Sequence, residues 1–206
     1  MQLHKAIFDI FRKDWKLFLV ANLIFYGPVA VGVIVAILRP EVQEAVIEFF
    51  RRALSTGTLS PVTEAASAGD VLLTSLLIFL YNFLVATILT STLPSLVFPP
   101  WTSLIFALRG LLVGIAVAAP GGGATAIDMA SRYIVLLLEG EAYVVAIFAS
   151  LRQIEALVLP QRLGERSRLK AYARALLDTL ALTGIVGALL AFSALVEAAL
   201  VIWLGI

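Results

Sequence analysis

The chain of 206 residues is 61% hydrophobic and only 14% charged, with a mean hydropathy of +1.02, whereas a soluble domain is about half apolar and a quarter charged. That balance excludes a soluble globular protein. A formal net charge of +1 gives no general attraction for nucleic acid. The absence of cysteine excludes disulfides and thiolate metal sites. His4 is the single histidine, so no Ser-His-Asp triad, metal site or cofactor is expected.

Residues 1–16 are amphipathic. Leu3, Ile7, Ile10, Phe11 and Trp15 recur at helical spacing, and Lys5, Asp9, Arg12, Lys13 and Lys16 fill the other side, which predicts a helix lying in the membrane interface. Residues 17–206 form the transmembrane domain, whose first span covers 17–38. Glu41 to Leu54 again alternates apolar and charged faces, a second surface helix. Ser55 to Asp70 has no apolar period and reads as a loop, with Asp70 placed to cap the next helix.

The second span, 71–93, carries Asn82 near its middle and stops at Pro94. Residues 94–100 hold three prolines and no charge, so they form a tight turn between antiparallel neighbours or dip back into the membrane. The third span, 101–119, contains Arg109, with Gly110 and Gly114 beside it in a spacing that permits close helix approach. Pro120 to Gly123 offers a triple glycine, but the Lys-Ser/Thr ending of a phosphate loop is missing. The fourth span, 133–151, bears Glu139-Gly140-Glu141. Residues 152–174 hold six of the fifteen basic residues, Arg162, Arg166, Arg168 and Lys170 among them, and the fifth span covers 175–206. The expected architecture is an all-α bundle of five transmembrane helices with amphipathic interfacial helices.

With the N-terminus in the cytoplasm, ten basic residues fall in cytoplasmic segments against four outside, as the positive-inside rule requires. The expected location is therefore the cell (inner) membrane, with the C-terminus outside. The basic 152–174 segment is then cytoplasmic, where it contacts anionic lipid or docks a protein partner.

Charged groups inside a span are costly and need partners. At 1.5 Å per helical residue, Arg109 lies about 12 Å from the inner end of its span, Asn82 and Glu141 about 16 Å, and Glu139 about 20 Å. Arg109 is expected to pair with Glu141, or with Glu139 as the second choice, and Asn82 to satisfy what is left. The two glutamates point about 200° apart on an ideal helix, so only one can face Arg109 unless Gly140 lets the helix distort. Asp178 and Glu197 read as wet flanks of the fifth span. The cluster would serve either as a structural lock or as part of a proton or cation pathway.

Asn82 within Tyr-Asn-Phe, the run Arg109 to Gly114 and the Glu-Gly-Glu of Glu139 to Glu141 together resemble the stage II sporulation protein M family. The chain departs from its bacterial pattern, with Arg109 where an Asn stands and Glu139 where a His stands. The resemblance implies a small polytopic membrane protein working in a membrane complex, as an anchor or recruiter of cell-wall-degrading partners. The resulting expectation is a non-enzymatic subunit or scaffold, embedded in the lipid bilayer as a homo-oligomer. The rival readings are an ion or proton channel or transporter centred on Glu139, Glu141 and Arg109, and a permease-like subunit of an ATPase-driven transporter.

Overall fold

The computed structural model describes residues 2–57, 59–118 and 125–204, with backbone alone for residues 2–7 and Thr56. The triple glycine 121–123, the side chain of His4 and the last two residues of the expected fifth span lie outside the described residues. Among the described residues the fold is all-α: α1 (Gln2–Lys13), α2 (Trp15–Leu38), α3 (Pro40–Thr56), α4 (Ser60–Ser67), α5 (Val71–Ser95), α6 (Pro100–Val117), α7 (Ala126–Val158) and α8 (Arg168–Leu204). A 3₁₀ turn, Pro160–Leu163, joins the last two. Five of these helices, α2 and α5 to α8, are long and apolar enough to cross a membrane, and the chain is a multi-pass membrane protein.

Three expectations on boundaries need correction. α8 starts at Arg168 rather than at residue 175. The segment 55–70 is not a plain loop: α3 runs to Thr56, and Ser60–Ser67 forms α4 with a proline in its first turn. A helix of eight residues is too short to show an apolar period, while proline at a helix start already has the required φ. α7 is longer than residues 133–151, extending from Ala126 to Val158, or about 50 Å. Its start is set by a capping box, in which Thr125 Oγ1 accepts from Asp128 N and Asp128 accepts from Thr125 N. Asp70 caps α5 by accepting from Leu73 N at 3.0 Å.

α7 is the centre of the bundle. Every residue from Ala142 to Ser150 is buried, as expected of a helix that is apolar all round and enclosed by others. α2, α6, α8 and residues 81–92 of α5 surround it. α2 and α6 run side by side because three glycines let their backbones meet. A methyl group on Gly110 would come within 2.7 Å of Phe25 O, and one on Gly114 or Gly32 would overlap Val29 O or Leu111 O. α8 packs against α7 along its length, and the first half of α5 packs on α8 through Ile78, Ala194 and Ala198.

The second half of α5, Tyr81–Thr92, is wound as a π-helix, a form that is rare and often found at functional sites. Thr87 donates its hydroxyl to Asn82 O five residues back, at 2.8 Å.

The two amphipathic helices pack against the bundle. On α1, Phe11 stacks on Phe148 of α7 at 5.1 Å and meets Phe18 edge-on at 5.2 Å. α3 closes the end of α6: Gln43 Nε2 donates to Ile115 O at 3.2 Å and to Ala118 O at 2.9 Å, carbonyls that a helix end cannot satisfy for itself. Gln43 is buried, so Gln43→Leu strands those carbonyls. It should lower stability by about 1–3 kcal/mol, measured by thermal unfolding in lipid nanodiscs. Little change would mean that water already serves that helix end.

Candidate functional site

Four side chains from three helices meet within the bundle. Asn82 of α5 stands between Arg109 of α6 and Glu139 of α7: Arg109 Nη2 donates to Asn82 Oδ1 at 2.7 Å, and Asn82 Nδ2 donates to Glu139 Oε1. A carboxamide accepts on one side and donates on the other, so it can join a cation to an anion. Arg109 Nη2 is also 3.9 Å from Glu139 Oε2, and Tyr143 donates its hydroxyl to that oxygen at 3.4 Å. The guanidinium lies 4.7 Å from the centre of the Tyr143 ring, within the range of a cation–π contact.

This geometry corrects the expected pairing of Arg109 with Glu141. Glu141 instead accepts from Tyr26 OH of α2 at 3.1 Å. α7 stays helical through both glutamates, so they keep their divergent directions. Gly140 has a different role from the expected distortion: a methyl group there would come within 2.8 Å of Phe25 Cε1 and 2.7 Å of Tyr26 OH. Gly140 therefore admits the α2 aromatics against α7, and one of them holds Glu141.

Glu197 also belongs to this region rather than to a wet flank. It is within electrostatic reach of Arg109 and Glu139, and its Oε2 is buried without a hydrogen-bond partner. One turn earlier on α8, Ser193 is 1% exposed, also with an unpartnered hydroxyl. The sequence signal for both was the spacing of Leu190, Ser193, Ala194, Glu197 and Ala198, which places them on one helical face.

A second ionic site, unforeseen in the sequence, closes the other end of α7. Arg152 forms an ion pair with Asp14, between α1 and α2, and donates from Nη2 to Asp178 Oδ2 of α8 at 2.5 Å. The Arg152 residue is 6% exposed. Arg152 had been grouped with the basic 152–174 segment and Asp178 with solvent; α7 continues through Val158 and carries Arg152 into the bundle. Next to this pair, Gln153 Nε2 donates to Thr179 Oγ1 at 2.9 Å.

The basic segment is correspondingly shorter than expected. Arg162, Arg166, Arg168 and Lys170 are exposed around the turn between α7 and α8, and Arg162 pairs with Glu155 at 2.8 Å. Among the described residues, no three His, Cys, Asp or Glu side chains are grouped so as to hold a metal ion. No protein-family model, curated protein or solved structure matches the chain.

Proposed function

We propose that this chain is a membrane-embedded subunit that assembles with copies of itself. The observation that supports this reading is Arg109. It lies nine residues into α6, about 14 Å from the helix start, yet its side chain is 26% exposed and its Nε is buried without a partner. An arginine at hydrocarbon depth costs about 2.5–3.5 kcal/mol even on the lenient insertion scale, and a neighbouring copy covering that edge removes the exposure. The stage II sporulation protein M resemblance, carried by Asn82, Gly110, Gly114, Gly140 and Glu141, points the same way, towards a small scaffold subunit of a membrane complex.

In this reading the N-terminus is cytoplasmic in the cell membrane, and Arg162, Arg166, Arg168 and Lys170 lie against anionic headgroups, where a soluble partner could also dock. Native mass spectrometry of the chain released from lipid nanodiscs should give an oligomer. Arg109→Gln should weaken the assembly tenfold or more while the helical circular dichroism is kept. A wild-type chain that is monomeric in lipid would overturn the proposal.

A further inference from the structure

A cavity lies between α5, α6, α7 and α8, on the side of Asn82 that faces the Arg152 pair. Thr87, Thr92, Ser95, Thr102, Ser150, Gln153, Thr179 and Thr183 are the polar part of its lining, and it measures about 10 Å³, room for one water-sized sphere. Its chemistry follows from where the hydroxyl hydrogens go. Thr87 donates to Asn82 O at 2.8 Å, Ser150 to Pro99 O at 2.5 Å, Thr179 to Ala175 O at 2.8 Å and Thr183 to Thr179 O at 2.8 Å. Thr102 donates to Ser91 O at 3.3 Å.

A hydroxyl has one hydrogen and two lone pairs, so each of these groups has spent its donor on the backbone. Oxygen lone pairs are what they have left to offer. Gln153 completes the pattern: its Nε2 is used on Thr179, while Oε1 is unpartnered in a residue 1% exposed. A buried polar atom without a partner signals a missing ligand, water or ion.

We propose that this acceptor-lined cavity is a binding site for a monovalent metal cation of the size of Na⁺. A cage of neutral oxygens replaces the hydration shell of a monovalent ion without introducing a fixed charge, and irregularly wound membrane helices supply such sites. The π-helical turn that carries Thr87 is one such irregularity. The site does not depend on the chain assembling with copies of itself.

The test uses the full chain in phosphatidylcholine nanodiscs at fixed ionic strength, with Na⁺, K⁺ or N-methyl-D-glucamine as the cation. Sodium should raise the unfolding temperature in a saturable way, as a ligand specific to the folded state does. N-methyl-D-glucamine should not, and ²³Na NMR should show broadening by the protein. Thr183→Val should weaken the sodium response tenfold or more. Gln153→Glu, which puts a carboxylate where Oε1 now points, should strengthen it by a similar factor. Equal unfolding temperatures in the three salts, together with unbroadened ²³Na signals, would overturn the proposal and leave the cavity as a water site. The NMR arm is read on the wild-type chain, so it decides even if a variant fails to fold.

Discussion

Replacing Arg152 with methionine should cost about 3–5 kcal/mol of stability, the usual effect of removing one partner from a buried ion pair. Two carboxylates depend on that guanidinium, and both are largely covered: the Asp14 side chain is 17% exposed and that of Asp178 is 20% exposed. Methionine restores much of the packing beside Phe148, whose ring centre is 5.9 Å from the guanidinium carbon, so the loss reports charge rather than volume. Adding Asp14→Asn and Asp178→Asn to Arg152→Met should recover part of the loss, because a neutral amide is cheaper to bury unpaired than a carboxylate. Thermal unfolding of the single and triple variants in nanodiscs gives the comparison. Because Asp14 connects α1 to α2, Arg152→Met should also loosen α1 and hasten tryptic cleavage at Arg12 and Lys13. If the variant is as stable as wild type and α1 remains protected, the trio is not what holds this end of the bundle together.

Gly114→Ala should destabilise the bundle by about 1–3 kcal/mol, the cost of forcing extra volume into a close-packed contact. The added methyl group meets the backbone carbonyl of Val29, which has no rotamer to move away, so α2 and α6 must separate. Separation would also loosen Phe25, which packs against Tyr143 with ring centres 5.8 Å apart, and through Tyr143 the surroundings of Arg109. Gly184→Ala is the control. It lies in α8 with nothing within 4 Å of the new methyl group, and should leave stability unchanged or raise it slightly, since alanine is the better helix former. Equal effects of the two substitutions would show that the α2–α6 contact is not specific to glycine.

Much of the architecture was legible in the sequence. Long apolar runs need lipid or other apolar helices around them, and span count follows from their length. Proline ended the first two spans close to where the helices end, and Asp70 had the chemistry of a cap. Asn82, Arg109, Glu139 and Glu141 stood out as a set because polar groups in such runs are expensive.

The pairing within that set was decided only by tertiary structure. Depth along a span can be counted from sequence, but the rotation of one helix against another cannot. That rotation gives Glu139 to Asn82 and Arg109, and Glu141 to Tyr26. It depends on glycines 32, 110, 114 and 140, which set how closely α2 approaches α6 and α7, and Gly32 carried no signal apart from its partners across the contact. The π-helical winding that presents Thr87 and Asn82 has no sequence period of its own. Arg152 read as one of a group of surface cations until α7 proved long enough to bury it between Asp14 and Asp178. The pairings rest on residues more than 20 positions apart in the chain, where packing rather than local spacing chooses the partner.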